Sequence, residues 1–213
     1  CGLCAFCSAG RPNLCPERRS LGTHVDGGFA ARVATPATNL HRIPDWLDGH
    51  VAAMAEPLVC VCHSLLDPAR VREGDTVLVV GPGPIGLLAA QVARSSGGVV
   101  HVRGTPRDAV RLAAARALGF ETSTTDDGSV GVDVVVECSG AAPGMALGLE
   151  AARRGGRYVQ MGLAGKDVTL PFDLVCYHEL EVTAGFASTP ASWLRALALI
   201  EAREVELAPL LSD

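Results

Sequence analysis

The sequence predicts an α/β protein built on a doubly wound parallel sheet, and three observations support that prediction. From residue 77 onward, short apolar runs typical of buried strands alternate with longer stretches of helical pattern. A glycine-rich turn follows the first apolar run and leads directly into a helical stretch. The 213 residues are 48% hydrophobic and 19% charged, which allows a sizeable core and argues against disorder.

The glycine turn joins an apolar run at residues 77–80 to a helical stretch at residues 87–93. It reads Gly81-Pro82-Gly83-Pro84-Ile85-Gly86, a G-x-G-x-x-G pattern in the strand, turn and helix setting of a dinucleotide-binding unit. Gly81 would allow the tight turn, Gly83 would admit a pyrophosphate close to the backbone, and Gly86 would let the helix lie on the sheet. Pro84 and Ile85 would begin a helix whose N-terminus faces the phosphates. The alternative is a glycine turn that binds no ligand.

The later elements repeat the alternation of strand and helix. We expect strands at residues 99–103, 132–137, 156–161 and 182–186, and helices at residues 109–118, 143–153 and 191–202. Asp108 is expected to cap the helix that begins at residue 109. Doubly wound sheets bind ligands at the carboxyl ends of their strands. The further candidate cofactor residues are therefore Ser139, Gly162 and Leu163.

The end of the second strand predicts which nicotinamide cofactor is preferred. An NAD site places an acidic residue about 20 positions beyond the glycine loop, where it binds the ribose hydroxyls. Here the strand ends in Arg103-Gly104-Thr105-Pro106-Arg107, with no carboxylate in that stretch. A hydroxyl at Thr105 and guanidinium groups at Arg103 and Arg107 suit a 2′-phosphate, which arginine binds in bidentate fashion. We therefore favour NADP over NAD, with solvated surface arginines as the alternative.

The N-terminal cysteines predict a metal site. Four of the eight cysteines fall in the first fifteen residues, at Cys1, Cys4, Cys7 and Cys15. Four thiolates on one short loop fit a closed, tetrahedral, structural zinc site, with an iron–sulfur cluster or two disulfides as alternatives. The remaining four cysteines lie in apolar surroundings that predict buried free thiols: Cys60, Cys62, Cys138 and Cys176. Free thiols imply a reducing compartment.

The segment between the cysteines and the glycine turn has two parts. Residues 20–43 alternate short apolar stretches with Gly, Asp, Thr and Pro, which predicts strands of a small β-barrel. Residues 48–66 are helical in pattern, with an interruption expected at Pro57. Glu56 lies in an apolar run between Ala55 and Pro57, where a buried carboxylate would need a partner or a cation. A helix-end carboxylate in solvent is the alternative.

These motifs together resemble the zinc-dependent medium-chain dehydrogenases. The stretch from Cys1 to Cys15 resembles the structural-zinc lobe of that family, and Asp26-Gly27-Gly28-Phe29-Ala30 resembles its glycine turn into a barrel strand. Ala55-Glu56-Pro57-Leu58 resembles the sorbitol (iditol) dehydrogenase branch. With the glycine loop, the resemblance covers nearly the whole chain.

The resemblance implies a domain organisation and a catalytic centre. Residues 1–58 would be part of a GroES-like barrel domain with the zinc lobe at 1–15, residues 59–203 a Rossmann domain, and residues 204–213 the return to the barrel. Glu56 would belong to the catalytic-zinc environment, whose cysteine and histidine ligands would lie upstream. Because the first residue is cysteine rather than methionine, we expect a longer native polypeptide. The chain alone would bind cofactor without turnover, and the full-length protein would be a homodimer or homotetramer.

Two hypotheses of function follow. The first is a zinc-dependent enzyme that transfers a hydride between a secondary alcohol of a polyol or sugar-like molecule and a nicotinamide cofactor. L-threonine 3-dehydrogenase is its rival within the same family. The second is a non-enzymatic dinucleotide-binding protein with a structural zinc. The net charge of −5 and the lack of a basic cluster disfavour nucleic acid and anionic membranes as partners, and we expect a cytoplasmic protein without a membrane span.

Overall fold

The computed structural model describes residues 1–124 and 131–211. In this part of the chain, six strands form one sheet in the order β3-β2-β1-β4-β5-β6, and every neighbouring pair is parallel. The strands are β1 (Thr76–Val80), β2 (Val99–Arg103), β3 (Glu121–Ser123), β4 (Val132–Glu137), β5 (Ala152–Gln160) and β6 (Glu181–Ala184). The strand order reverses direction between β1 and β4, so the predicted doubly wound sheet is confirmed.

Helices cover both faces of the sheet. The main helices are α3 (Ala55–Leu66), α4 (Pro84–Ser95), α5 (Ala109–Ala117), α6 (Ala142–Ala151) and α8 (Pro190–Glu201), with shorter turns at α1 (Ala5–Ser8), α2 (Gly49–Ala52) and α7 (Asp173–Tyr177). Side chains of β1 alternate between the faces: Val79 belongs to the core that includes residues of α3, α4, α5 and α8, and Leu78 to the core that includes residues of α6 and α7. All three valines in the middle of β4 are completely buried, as expected for a central parallel strand.

The helical stretch at residues 48–66 divides before Pro57, not at it. Asp48 caps α2 by accepting hydrogen bonds from the N–H groups of His50 and Val51, and α3 then begins at Ala55. Pro57 falls in the first turn of α3, where its missing N–H has no partner to lose. By length and composition Gly49–Leu66 could also span a membrane, but 44% of it is buried.

The expected barrel strands are absent from residues 20–43 of the described chain. The segment contains one isolated bridge, Leu21 to Val25, and a 3₁₀ turn at Ala37–Asn39. Phe29, in the segment that resembles a barrel strand, is fully exposed. An extended segment becomes a strand only when another segment pairs with its backbone, and apart from the Leu21–Val25 bridge no such pairing occurs here in the described chain.

The remaining boundaries agree with the sequence pattern to within a few residues. One strand was not expected: β3 contains Glu121, Thr122 and Ser123, and it pairs only with β2 at the edge of the sheet. The predicted strand at residues 156–161 begins four residues earlier in the structure, at Ala152. The last two residues of the predicted return segment 204–213 lie outside the described chain.

Candidate active site: a cofactor crevice and a cysteine lobe

The three glycines of the turn after β1 differ in what surrounds them. Gly81 has φ +98°, and a Cβ on it would lie 2.7 Å from the backbone nitrogen of Ser139. A Cβ on Gly86 would overlap the carbonyl oxygen of Gly81. Around Gly83, by contrast, no described atom lies within 4 Å of where a Cβ would be. The fold itself therefore requires Gly81 and Gly86, whereas Gly83 leaves open space above the turn.

The N-terminus of α4 opens into that space. Gly83 is the N-cap, Pro84 is the first helical residue, and no side chain caps the helix. The first turn also contains no acidic residue. The first N–H groups of a helix have no partner within the helix and carry partial positive charge, so this end suits a phosphate group.

The turns after β4 and β5 lie against each other beside the glycine turn. Gly140 has φ +64°, and a Cβ on it would lie 2.6 Å from the carbonyl oxygen of Leu163. A Cβ on Gly162 would overlap the backbone nitrogen of Gly140. Leu163 itself is 87% exposed and Ser139 is also exposed. The three predicted residues after β4 and β5 are thus brought together at the carboxyl edge of the sheet.

Sequence reasoning missed Glu137, which ties these two turns together. Glu137 is completely buried at the end of β4. Its carboxylate accepts hydrogen bonds from the Ser139 N–H at 2.9 Å, the Ser139 hydroxyl, the Gly140 N–H at 3.3 Å and the Gln160 side-chain amide at 2.7 Å. The available signal was a carboxylate at the end of an otherwise apolar strand, directly before Cys138-Ser139-Gly140.

The turn after β2 corrects two predictions. The hydroxyl and N–H of Thr105 do not face outward for a ribose, because both donate to the Asp108 carboxylate, at 2.7 and 2.9 Å. Asp108 therefore does not cap α5, to which it makes no capping hydrogen bond. Burial alone would raise the pKa of Asp108, but hydrogen bonds from Thr105 and Arg111 hold the pKa below its usual value. The turn thus does contain a carboxylate.

The two predicted arginines of this turn differ in exposure. Arg103 is buried in the last position of β2, with only 5% of its surface exposed. Its carbonyl oxygen accepts from the Gly81 N–H at 2.8 Å, which joins β2 to the glycine turn. Arg107 is exposed in the 3₁₀ turn Pro106–Asp108. Of the two, only Arg107 presents its side chain to solvent beside the crevice.

The four N-terminal cysteines converge as predicted. The Sγ atoms of Cys1, Cys4, Cys7 and Cys15 all lie within 4.8 Å of one another, and those of Cys1 and Cys15 are 3.5 Å apart. Zinc bound to four thiolates at about 2.3 Å would set the sulfur atoms about 3.8 Å apart, so the four residues fit a tetrahedral zinc. No described cysteine forms a disulfide. The Cys7 N–H lowers the pKa of the Cys4 thiol, whereas burial raises that of Cys15.

The cysteine lobe is attached to the sheet domain by Asn13. This residue is 4% exposed, and its side-chain amide donates to the carbonyl oxygen of Phe186 at 2.8 Å. The same amide nitrogen lies 3.3 Å from Nε2 of His63 on α3. Burial lowers the pKa of His63, although Asp67 opposes that shift. Arg18 adds a cation–π contact to the Phe186 ring at 4.9 Å.

Two expectations about buried side chains were wrong. Glu56 is exposed at the start of α3, where the positive end of the helix favours a carboxylate, and it accepts from the Cys60 thiol at 3.4 Å. Cys176 is exposed as well, whereas Cys62 is buried as expected and Cys60 and Cys138 are partly buried. Burial raises the pKa of the Cys60 and Cys62 thiols to about 12, so both stay protonated.

Two open cavities of the described chain lie away from this crevice. One, of about 490 Å³, is bordered by the starts of β1, β2 and β3, and the other, of about 190 Å³, has Trp46 and Arg203 in its lining. Neither is lined by a residue of the glycine turn. The candidate site is therefore identified by its place at the reversal of strand order.

Comparison with known proteins agrees with this geometry. Sorbitol dehydrogenase of Halalkalibacterium halodurans is 39% identical over all of this chain and 65% of its own length. L-threonine 3-dehydrogenase of Bacillus velezensis is 30% identical over all of this chain and 65% of its own length. A zinc-binding dehydrogenase structure from Sinorhizobium meliloti 1021, bound to NADP, superposes with a TM-score of 0.86 and 34% identity over 98% of this chain and 65% of that one.

The chain thus spans about 65% of the length of these relatives. Residues 84–202, which run from the first residue of α4 past the end of α8, match the family of zinc-binding dehydrogenases. That match covers more than half of the chain, and together with the glycine turn and the four-cysteine lobe it shows that the chain belongs to the zinc-binding dehydrogenase family.

Proposed function

We propose that this chain is the cofactor-binding and structural-zinc part of an enzyme that transfers a hydride between a secondary alcohol and a nicotinamide cofactor. The observation that supports this most directly is the open space above Gly83, at the uncapped N-terminus of α4 and at the reversal of strand order. A dinucleotide pyrophosphate is the ligand that such a place suits. The substrate we propose is a polyol or sugar-like alcohol, because the sorbitol dehydrogenase relative is the more similar of the two compared.

The residues of this chain would bind and orient the cofactor. The first N–H groups of α4 would hold the pyrophosphate, and the turns after β4 and β5 would support the other end of the dinucleotide. When bound, zinc at a catalytic site lowers the pKa of an alcohol and the nicotinamide accepts the hydride. We propose that Glu56 belongs to the surroundings of that zinc, since its carboxylate is exposed and accessible to a cation.

We propose that NADP(H) binds more tightly than NAD(H), with NAD(H) as the alternative. Arg107 is exposed beside the crevice. The carboxylate of Asp108 would repel a 2′-phosphate, but it is paired with Arg111 at 3.2 Å. A charge-assisted hydrogen bond from Arg107 to the phosphate would contribute about 1.5–3 kcal/mol. That corresponds to a preference of about tenfold to hundredfold.

We also propose one structural zinc in the four-cysteine lobe, a barrel domain containing residues 1–58, a Rossmann domain of residues 59–203 and a return segment from residue 204. The resemblance to the family further favours a cytoplasmic homodimer or homotetramer in the full-length protein. Neither nucleic acid nor a membrane is proposed as a partner, since the net charge is −5.

The test separates the proposed activity from its rivals. The longer polypeptide that contains this chain is assayed with sorbitol, xylitol and L-threonine, each with NADP and with NAD, and the 213-residue chain is titrated with NADPH. Turnover of a polyol supports the proposal, and turnover of L-threonine alone supports the rival enzyme. Dinucleotide binding without turnover of any of these alcohols supports a non-enzymatic protein.

A further inference from the structure

The buried carboxylate of Glu137 accepts hydrogen bonds from Ser139, Gly140 and Gln160. A buried carboxylate is costly unless hydrogen bonds compensate its charge, and an apolar residue at the end of β4 would avoid that cost. The donors to Glu137 come from two residues of the following turn, Ser139 and Gly140, and from Gln160 in β5. It therefore fixes the backbone of Ser139 and Gly140 directly.

Gln160 extends the same network to the turn after β5. Its side-chain nitrogen, which donates to Glu137, also lies 2.7 Å from the carbonyl oxygen of Gly162. Its side-chain oxygen accepts from the Tyr158 hydroxyl at 2.8 Å. Gly144 on α6 leaves room for the network, because a Cβ there would lie 3.3 Å from Glu137 and would overlap the Ser139 hydroxyl. The Glu137 carboxylate thus links the turns after β4 and β5, in addition to the backbone hydrogen bonds that the Glu137 carbonyl oxygen accepts from Met161 and Gly162.

The sheet order indicates which part of the dinucleotide lies over these turns. A dinucleotide crosses the crevice at the reversal of strand order, here between β1 and β4, with its pyrophosphate at the glycine turn after β1. The adenosine half would then lie over β2, in the direction of the turn that contains Thr105 and Arg107. The nicotinamide half would lie over β4 and β5.

We propose that Glu137 is a positioning residue, which holds the turns after β4 and β5 in the arrangement that binds the nicotinamide half of the cofactor. This rests on the proposed function, since it requires that the crevice bind a nicotinamide dinucleotide. Glu137 acts through Ser139, Gly140 and Gly162, and it does not touch the cofactor itself.

The test replaces Glu137 by its neutral isostere and compares two probes. In Glu137→Gln an NH₂ group replaces one acceptor oxygen and faces the donors that surround the site. Glu150→Gln, on the exposed face of α6, is the matched control. Each protein is titrated with NADPH and with adenosine 2′,5′-bisphosphate, which represents the adenosine half alone, and folding is checked by circular dichroism.

We expect Glu137→Gln to bind NADPH about tenfold to hundredfold more weakly. The shift in NADPH fluorescence on binding should also be lost, whereas the affinity for adenosine 2′,5′-bisphosphate should stay within about twofold. Glu150→Gln should match the unsubstituted chain with both probes. If Glu137→Gln does not fold, Gln160→Met removes one donor to Glu137 and the donor to Gly162, and should give the same pattern with a smaller loss.

Four results would overturn the proposal. A folded Glu137→Gln with unchanged NADPH affinity shows that the network does not position the cofactor. An equal loss for both probes, or failure of both variants to fold, shows a purely structural role. If the unsubstituted chain binds neither probe, the proposed function itself fails, and the role of Glu137 fails with it.

Discussion

The glycine turn allows a prediction that separates what the fold requires from what the ligand requires. Substituting alanine at Gly86 should destabilise the protein whether or not a cofactor is present. A Cβ at Gly86 would lie much less than 3.0 Å from the Gly81 carbonyl oxygen, and real Cβ atoms essentially never come so close to another heavy atom. Overpacking of this kind costs about 1–3 kcal/mol. For a chain of this length that lowers the melting temperature by about 2–12 °C.

Gly83→Ala should give the opposite result. Gly83 has φ −69° and ψ 176°, which alanine adopts readily, and no described atom lies within 4 Å of its Cβ position. Alanine is a poorer N-cap than glycine by about 0.5–1 kcal/mol, but it loses less chain entropy on folding by about 0.4–1 kcal/mol. The melting temperature should therefore change by no more than about 2 °C. The added methyl group would instead keep a phosphate from the first N–H groups of α4, and NADPH should bind about tenfold to hundredfold more weakly.

The assay measures two quantities for each variant. Thermal unfolding without cofactor gives the melting temperature, and NADPH fluorescence titration gives the dissociation constant. Gly49→Ala is the control, because nothing described lies within 4 Å of its Cβ position and it is remote from the crevice in sequence. Unchanged NADPH affinity in Gly83→Ala would refute the placement of the pyrophosphate, and an unchanged melting temperature in Gly86→Ala would refute the close contact with Gly81.

Four further predictions concern other parts of the chain. Chelation or Cys7→Ser should release one zinc per chain and speed amide exchange in the first twenty residues while leaving the sheet protected; iron with sulfide, or no metal in the purified reduced protein, would contradict the zinc assignment. Arg107→Ala should weaken NADPH binding by about tenfold or more and leave NADH unchanged, with Arg32→Ala as the control; a variant that keeps its preference shows that Arg107 does not bind the phosphate. Glu56→Ala in the longer polypeptide should lower turnover, with a melting temperature like that of Glu201→Ala, and normal kinetics would exclude Glu56 from the zinc surroundings. The hydrogen bond from Arg153 holds the pKa of Asp133 well below its usual value. The unsubstituted chain should therefore be more stable than Asp133→Asn by a margin that is full above about pH 4 and declines as the pH falls further. An equal difference in melting temperature at pH 6 and pH 3 would argue against this.

The sequence predicted the central strands well for a physical reason. Parallel strands are buried on both faces, so β1 and β4 appear as nearly continuous apolar runs rich in valine. The strand β3 has no such run, because it lies at the edge of the sheet and pairs only with β2. The expected barrel strands failed for a related reason, since residues 20–43 have a strand-like pattern but no described neighbour to pair with.

Side-chain partners were much harder to predict than elements. The position of Asp108 before a helical run suggested a cap for α5, but its carboxylate accepts from Thr105 instead. The apolar neighbours of Glu56 suggested burial, yet the carboxylate lies on the exposed side of the first turn of α3. In both cases the sequence gives the neighbours along the chain, whereas the partner depends on the direction in which the side chain leaves the backbone. The cysteine cluster was predictable because its spacing alone brings four thiols together.

The register of the sheet places several polar residues in one row at its carboxyl edge. The row next to that edge contains four valines in register, Val102, Val79, Val136 and Val159. One residue further along, the corresponding row contains Arg103, Val80, Glu137 and Gln160. Three of the four residues in this second row are polar, whereas all four in the first row are valine. Helices cover both faces of the sheet, and Arg103 and Glu137 are buried. Buried polar groups are costly unless they are hydrogen-bonded, and these residues lie at the carboxyl edge, where doubly wound sheets bind ligands.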